Sequence, residues 1–351
     1  MTVYIVDIEA VDTRYTAQWK THLPVQLKNK TGLKVKVISG GEVPQATTPG
    51  AFLNFGGTNV YKSNQLQQIA TLFCEGKIND GDYFLYTDAW NPTVIQLRYM
   101  ASLLNVNITI GGMWHAGSYD PQDFLGRLIG NEPWVRNAEK SMFSCYNDNF
   151  FATQFHVDLF QKTFNYYRYD GDSIHVVGWP MEYLAETLAP FAGAEKENIV
   201  LFPHRIAPEK QHDIFTDLAQ HFPDYQFITA QDKELTKTEY HELLAKSKMV
   251  FSANLQETLG ISWYEGALVG AVPFVPDRLS YSEMAMEQVL YPSEWTESFE
   301  AYQNNKDKLI ERMKTLLESN NHPEICEKQV NTLTDFFNGD ALYTRIKEHS
   351  T

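Results

Sequence analysis

The strongest constraint on the fold is an alternation of short apolar runs with segments of helical period through both halves of this 351-residue chain. In the first half, candidate strands lie at Val3–Ile8, Lys34–Ser39, Phe52–Phe55, Tyr83–Thr87, Asn107–Gly111 and His175–Gly178. Helical periodicity fills the intervals at Arg14–Lys28, Asn64–Gly76, Pro92–Leu104 and the Phe-rich stretch Asp123–Phe164. Such alternation is typical of βα units whose strands form a parallel sheet.

The same rhythm restarts after a segment rich in Pro, Gly and Ala at Leu188–Glu197. Candidate strands follow at Asn198–Phe202, Tyr225–Thr229, Met249–Ser252 and Ala271–Val275, with helices between and after them. We therefore predict an α/β protein of two doubly wound, Rossmann-like domains facing a cleft, over residues 1–187 and 188–351. The carboxyl ends of both sets of strands are the expected ligand positions.

Composition excludes several classes of protein. With 43% hydrophobic and 21% charged residues the chain is neither disordered nor fibrous. It has no run near the ~18 apolar residues of a membrane span, and an acidic residue at position 7 argues against a secretion signal, so we expect a cytoplasmic protein. Three cysteines without metal-ligand spacing, Cys74, Cys145 and Cys326, favour neither a disulfide framework nor a zinc site.

The net charge of −15 is distributed unevenly. Residues 1–180 hold 14 basic and 16 acidic side chains, whereas residues 181–351 hold 15 and 28. This balance works against generic binding to nucleic acid or anionic membranes, which requires Lys and Arg. A local basic run lies in the first half, at Lys20, Lys28, Lys30, Lys34 and Lys36; it is either a solvated face or a surface for an anionic partner.

The segment Phe251–Pro276 carries the most informative pattern. A strand leads through a loop into a helix that begins near Gly260, and Glu257 and Glu265 stand eight positions apart across that junction. Gly260 permits close backbone approach, and the first N–H groups of the helix can receive a diphosphate. Glu257 is placed to face a sugar and Glu265 a ribose, although a helix-capping acid and a surface acid explain the spacing as readily.

Two cations, Arg205 and Lys210, lie in the loop after the strand Asn198–Phe202. Cations at the mouth of a parallel strand suit a pyrophosphate leaving group, because Arg can bind it bidentately and Lys supplies a point charge. Taken alone, the pair is better explained as ordinary loop cations.

Together these residues resemble the retaining glycosyltransferases of the GT-B fold. Glu257 to Glu265, with Thr258, Leu259 and Gly260 between them, looks like the E-x7-E signature of that family, and Arg205 to Lys210 looks like its R-x4-K element. The match in order and spacing covers about residues 199–283. The resemblance implies a nucleoside diphosphate sugar as donor, no cofactor, and a metal-independent transfer with retention at the anomeric carbon.

The resemblance also implies residue roles. Arg205 and Lys210 would hold the diphosphate, Glu257 the transferred sugar and Glu265 the ribose, with the Thr258–Gly260 turn beside them. In the first half, His115 follows a strand, as a family His near the transferred sugar does, and we place Trp114 and Asp88 with it on the acceptor side. The family's N-terminal Gly-rich loop has no clear counterpart: acidic residues such as Asp7 follow the first strand, and Gly56–Thr58 is the nearest candidate.

Two Asp-Gly-Asp triplets, Asp80–Asp82 and Asp170–Asp172, match the metal-binding pattern of a different glycosyltransferase fold. Both precede strands, so we interpret them as turns and predict no metal site.

The acceptor is the least constrained part of the prediction. Size and the N-terminal half loosely resemble bacteriophage enzymes that glycosylate hydroxymethylated DNA bases, and the basic run allows DNA on that face. A polysaccharide, a small molecule, or a non-catalytic sugar-nucleotide-binding module are the alternatives. Donor base, sugar, regiochemistry and oligomeric state are left open.

Overall fold

The computed structural model describes residues 1–10, 15–44, 46, 54–164 and 171–350. It divides into two compact units, Met1–Met181 with Asn338–Thr351, and Glu182–Phe337. The division differs from the predicted one mainly at the C-terminus, where the last helix belongs to the first unit. No helix in the described ranges has the length and apolar character needed to cross a bilayer.

The first unit is built on parallel strands covered by helices. Its strands are β1 (Thr2–Val6), β2 (Lys34–Ile38), β3 (Tyr83–Tyr86), β4 (Thr109–Trp114), β5 (Asp148–Phe151) and β6 (Ile174–Val176). Its helices are α1 (Tyr15–Thr31), α2 (Phe55–Cys74), α3 (Thr93–Leu103), α4 (Phe124–Ile129), α5 (Pro133–Cys145), α6 (Gln154–Phe164) and α14 (Asp340–Glu348). The described strands pair in the order β2-β1-β3-β4-β5-β6. All four residues of β3 are buried, as expected for a parallel strand covered on both faces.

The second unit repeats this design. Its strands are β7 (Ile199–Phe202), β8 (Gln226–Thr229), β9 (Met249–Phe251), β10 (Val272–Pro276) and β11 (Leu290–Tyr291). Its helices are α7 (Tyr183–Leu188), α8 (His212–Ala219), α9 (Lys237–Lys246), α10 (Ile261–Leu268), α11 (Tyr281–Met284), α12 (Phe299–Leu317) and α13 (His322–Leu333). The strand order is β11-β10-β9-β7-β8, and every pair is parallel.

Two sequence predictions in the first unit are wrong. Phe55 begins helix α2 rather than ending a strand, because the Asn54 side chain accepts from Gly57 N at 2.7 Å and caps the helix; Phe52 and Leu53 lie outside the described residues. Gly56–Thr58 is consequently the first turn of α2 and not a loop. The stretch 123–164, predicted to be helical, contains strand β5 between α5 and α6.

Helix α14 joins the first unit through a buried carboxylate at the start of β5. Asp148 accepts hydrogen bonds from Tyr83 Oη at 2.9 Å, His175 Nε2 at 3.1 Å, Arg345 Nε at 2.9 Å and His349 Nε2 at 2.8 Å. Burial raises the pKa of Asp148, but the hydrogen bonds from His175, Tyr83 and Arg345 outweigh it and bring the pKa to about 2. The ionised carboxylate therefore anchors the C-terminal helix to the sheet.

Candidate functional site

In the second unit the strand order changes direction between β7 and β9. Neighbouring loops leave opposite faces of the sheet at such a switch point, and ligands of open parallel sheets bind outside the strand ends there. The loop after β7 carries Arg205 and Lys210, and the loop after β9 carries Glu257. Three of the predicted residues thus come from the two loops that flank one switch point.

Lys210 and Glu257 form a largely buried ion pair in this position. The Lys210 ammonium donates to Glu257 Oε2 at 3.2 Å and to the backbone oxygen of Gln256 at 2.6 Å. The two side chains are 8% and 18% exposed. Because these contacts use two of the three ammonium protons, the Lys210 side chain is held in place while keeping a proton for a further acceptor.

Glu257 is fixed by three donors. Besides Lys210, Asn254 Nδ2 donates to Oε2 at 3.0 Å and the Thr258 backbone N–H donates to Oε1 at 3.1 Å. Burial raises the pKa of Glu257, but Lys210 and the hydrogen bonds outweigh burial and hold it below its ordinary value. Glu257 is therefore an ionised acceptor near neutral pH.

The two loops are tied to each other by Gln211. This residue adopts a left-handed backbone with φ of 50°, and its amide donates to the backbone oxygens of Ala253 and Thr296 at 2.6 Å each. The Leu255 N–H donates to the Glu209 backbone oxygen at 2.8 Å. These bonds fix the position of Lys210 relative to the β9 loop.

Arg205 is placed differently from Lys210. Its guanidinium is 44% exposed and pairs with the buried carboxylate of Glu209, four residues along the same loop. The described structure therefore brings Lys210 and Glu257 into contact, whereas Arg205 stays partly exposed to solvent and pairs with Glu209.

The turn before helix α10 requires glycine at position 260. Gly260 has φ of 76°, and a Cβ there would lie 2.8 Å from Trp263 Cδ1. The preceding residues are fixed by Ser280 Oγ, which donates to the Thr258 backbone oxygen at 2.8 Å, and by the Trp263 indole, which donates to the Leu259 oxygen at 2.9 Å. The first N–H groups of α10 have no acceptor within the helix, so this end can bind an anion.

Glu265 is buried in α10 and contacts α9 rather than Lys210 or Glu257. Its carboxylate accepts from Tyr240 Oη at 3.4 Å and lies 3.7 Å from Lys237 Nζ and 3.9 Å from His241 Nε2. The E-x7-E spacing therefore places two carboxylates around one helix start, each with its own set of partners.

His204, which immediately precedes Arg205, was not among the residues predicted from the sequence. The ring is buried and nearly perpendicular to the ring of Phe202, and burial together with Lys210 lowers the pKa of His204 to about 3. A neutral imidazole therefore lies beside the Lys210–Glu257 pair. Its position two residues after the apolar strand β7 is the signal that could have found it.

In the first unit, His115 follows β4 and both of its ring nitrogens are engaged. Nε2 lies 2.7 Å from the backbone oxygen of Thr87, and Nδ1 lies 2.8 Å from Tyr15 Oη. A carbonyl only accepts, so Nε2 carries the proton and, in the neutral ring, Nδ1 accepts from Tyr15. The rings of Trp19 and Trp179 pack within 6 Å. His115 is thus held rigidly at the carboxyl edge of the first sheet.

The other two residues assigned to the acceptor side differ in exposure. Trp114 is buried in the core of the first unit, where its indole donates to Asn149 Oδ1 at 2.8 Å; this packing gives it a structural role and corrects the expectation of an acceptor contact. Asp88 follows β3, lies 3.5 Å from Lys62 Nζ and accepts from the Trp90 N–H at 3.1 Å. Asp88 keeps access to solvent.

The first Asp-Gly-Asp triplet has structural partners at the opposite edge of the sheet. Asp80 accepts from Asn107 N at 2.7 Å, and Asp82 accepts from Thr2 N at 2.7 Å and Asn79 N at 2.9 Å. These carboxylates fix the turn before β3. Of the second triplet, Asp170 lies outside the described residues, and Asp172 belongs to a 3-10 turn before β6.

Comparison with known proteins finds similarity in fold but not in sequence. No family model and no curated protein matches the chain. The catalytic domain of starch synthase IV from Arabidopsis thaliana, bound to ADP and acarbose, superposes with a TM-score of 0.63 over 99% of each chain at 12% identity. Sucrose-phosphate synthase from Thermosynechococcus elongatus gives 0.61 over 99% of this chain and 97% of its own, at 11% identity.

A third match is the pneumococcal O-GlcNAc transferase GtfA in complex with UDP and GlcNAc, with a TM-score of 0.53 and 12% identity. It covers 82% of this chain, but the chain spans only 60% of GtfA. At these identities the likeness shows the fold. Two parallel-sheet α/β units of the GT-B glycosyltransferase type confirm the fold class predicted from the sequence.

Proposed function

We propose that the protein is a glycosyltransferase that moves a sugar from a nucleoside diphosphate sugar to a hydroxyl acceptor with retention of anomeric configuration. The observation that carries this proposal is the Lys210–Glu257 pair at the β7/β9 switch point, next to the start of α10. An ammonium, a fixed carboxylate and a helix start at one strand edge together suit a ligand that carries both a diphosphate and a sugar.

The diphosphate binds Lys210, Arg205 and the first N–H groups of α10. As the glycosidic bond breaks, negative charge grows on the departing diphosphate, and fixed positive groups stabilise that state more than the ground state. Lys210 is already oriented by Gln256 and Glu257 and supplies its remaining proton. Arg205 leaves or shares its contact with Glu209 to bind the second phosphate. These cations supply the charge that a divalent metal supplies in other enzymes, so we propose a metal-independent reaction.

The two glutamates recognise hydroxyl groups. Glu257 is ionised and held by Asn254 and Thr258, so it accepts hydrogen bonds from hydroxyls of the transferred sugar. Glu265 has Lys237 and Tyr240 as partners and accepts from the ribose. We assign neither as a covalent nucleophile; the leaving phosphate takes the acceptor proton on the same face of the sugar, which gives retention.

The first donors to examine are UDP and ADP sugars, because GtfA was solved with UDP and the starch synthase with ADP. For the acceptor, a hydroxymethylated base in DNA is one candidate. It is supported by Lys20, Lys28, Lys34 and Lys36, to which the described structure gives no acidic partner within 4 Å, whereas Lys30 pairs with Asp340. Polysaccharide and small-molecule hydroxyls are the other acceptor classes in the test.

Mass spectrometry after incubation with a donor panel and these acceptors tests the proposal, with 1H NMR reporting the anomeric configuration of the product. We expect Lys210→Ala and Glu257→Gln to lose roughly 100- to 1000-fold in turnover, as removal of one transition-state donor does elsewhere. Lys306→Ala is the matched control. It breaks an ion pair of the same unit, 2.6 Å from Asp217, away from the switch point.

Retained turnover in both site variants would refute the assignment. Tight donor binding without transfer or donor hydrolysis would instead identify a sugar-nucleotide-binding module.

A further inference from the structure

The first unit has a switch point of its own, between β1 and β3. Asp7 directly follows β1, and Thr87 directly follows β3; the Ile8 N–H donates to Thr87 Oγ1 at 2.8 Å and joins the two ends. By the same rule as in the second unit, a ligand of the first sheet binds outside these strand ends. Asp7 is therefore a carboxylate at the expected ligand position of this unit.

The two carboxylate oxygens of Asp7 have unequal surroundings. Oδ1 accepts from Tyr61 Oη at 2.5 Å and from Gln65 Nε2 at 3.0 Å. Oδ2 is buried and has no hydrogen-bond partner among the residues that the structure describes. Asp7 as a whole is 7% exposed. A buried acceptor without a donor costs about 1–3 kcal/mol, and such groups are rare in folded proteins unless they serve a ligand or bind water.

The polar groups around Asp7 do not fully offset the cost of burying its charge. Tyr61 on α2 and Lys20 on α1 face it, and Ser39 Oγ lies 2.9 Å from the Tyr61 hydroxyl. Burial nevertheless raises the pKa of Asp7 to about 6, against the lowering effects of Tyr61, Lys20, Ser39 and Gln65. Above that pH the folded protein holds an ionised carboxylate with one unsatisfied oxygen. Side chains with strongly shifted pKa values are often found in functional sites.

Resting on the proposed glycosyl transfer, we propose that Asp7 binds the acceptor: its Oδ2 accepts a hydrogen bond from a hydroxyl group of the acceptor that neighbours the one receiving the sugar. An ionised carboxylate oxygen only accepts, so its partner must be a donor, and a hydroxyl is the donor that the proposed reaction brings. The residue lies where the GT-B resemblance leads one to expect glycine, so this carboxylate is a feature of this chain's own acceptor side.

The test compares wild type, Asp7→Asn and a matched control, Asp82→Asn. Asp82 is a buried carboxylate of the same unit, but it lies at the opposite strand edge and both its oxygens have backbone donors. We expect Asp7→Asn to lower kcat/KM for the acceptor by roughly 10- to 100-fold, the loss of one hydrogen bond to a charged group. Donor KM and hydrolysis of the donor without acceptor stay at the wild-type level, and Asp82→Asn transfers normally.

A pH profile separates ligand binding from a structural role. Wild-type transfer should fall on the acidic side with a midpoint near pH 6, as Asp7 takes up its proton. Tyr61→Phe removes a hydrogen bond that lowers the pKa of Asp7, so the acidic fall in activity of this variant should move to higher pH. The activity of Asp7→Asn should not show this fall.

If wild type transfers sugar and Asp7→Asn matches it, the Asp7 assignment is overturned while the proposed function stands. Equal losses of transfer and donor hydrolysis also overturn it, because they indicate a structural defect. If wild type glycosylates no acceptor, the proposed function fails and the assignment fails with it.

Discussion

Replacing Asp7 by Asn should stabilise the first unit at neutral pH, whatever the protein catalyses. The substitution keeps the size of the side chain and keeps an oxygen for Tyr61 and Gln65 to donate to. It removes a buried charge and replaces the unpartnered oxygen with a neutral NH2 group. The cost of burying an amide without a partner is smaller than that of burying a carboxylate.

The magnitude follows from proton linkage. The pKa of Asp7 is about 6 in the folded chain against an ordinary value of 3.8, and one pKa unit corresponds to about 1.4 kcal/mol. The folded state binds the proton more tightly, so the free energy of unfolding of wild type is highest below about pH 4 and decreases as the pH rises through 6. The total decrease from this group is about 3 kcal/mol, and Asp7→Asn does not show it.

Urea unfolding of both proteins between about pH 4 and pH 7.5 measures this effect as a difference between two curves, in which titrations common to both proteins cancel. Tryptophan fluorescence is a suitable signal because five of the seven tryptophans belong to the first unit: Trp19, Trp90, Trp114, Trp134 and Trp179. We expect the variant to gain about 3 kcal/mol relative to wild type across this range, with most of the gain between pH 4 and 6.

A pH-independent difference between the two proteins would contradict the reasoning, because it would mean that Asp7 is solvated well enough to ionise normally in the fold. The Asp82→Asn variant should change the free energy of unfolding in the opposite direction. Its carboxylate accepts from two backbone N–H groups, so the amide leaves one of them without an acceptor, and the variant should lose about 1–3 kcal/mol.

Two further substitutions test other parts of the structure. Gly260→Ala should lower stability by at least about 1–2 kcal/mol, the cost of a left-handed backbone for a residue with a Cβ, and should weaken UDP or ADP binding in calorimetry, since the added Cβ would contact Trp263 at the start of α10. Asp148→Asn should lower the stability of the first unit by about 2.5 kcal/mol near pH 7 in urea unfolding. Because the pKa of Asp148 is depressed to about 2, this difference should shrink as the pH falls below 4; a constant difference would refute the anchoring role of its charge.

The sequence predicted most of the fold because its signals are local. Apolar runs bounded by turns predicted most strands of both sheets. The segment rich in Pro, Gly and Ala at residues 188–197 begins a few residues after the change of unit at Met181. Strand β5 was missed because its four residues lie within a Phe-rich stretch of mostly helical character, and periodicity cannot separate so short a strand from a buried helix. The placement of α14 could not be predicted either, since Arg345 meets Asp148 across 197 positions.

In the candidate site too, the residues that could be predicted are those with a local sequence signal. The Lys210–Glu257 contact was predictable, because both residues belong to motifs with fixed spacing after strands that pair side by side in the second sheet. His204 and Asp7 were not selected, because their importance depends on burial and on missing partners, which a single sequence does not show. Trp114 shows the opposite case. An aromatic residue at a strand end suggested a surface on which a sugar could stack, but the Trp114 side chain is buried in the core.

Net charge is a poor guide to what each unit binds. The second half of the chain carries 28 acidic residues against 15 basic ones, yet the loops at its switch point present two cations, Lys210 and Arg205, which pair with Glu257 and Glu209 of these loops. The first half is nearly neutral, yet its switch point holds Asp7, one oxygen of which has no donor in the described part of the chain. Beyond a Debye length of about 8 Å distant surface charges are screened, so the few charged groups held at each strand edge contribute most of the electric field that a ligand bound there would meet.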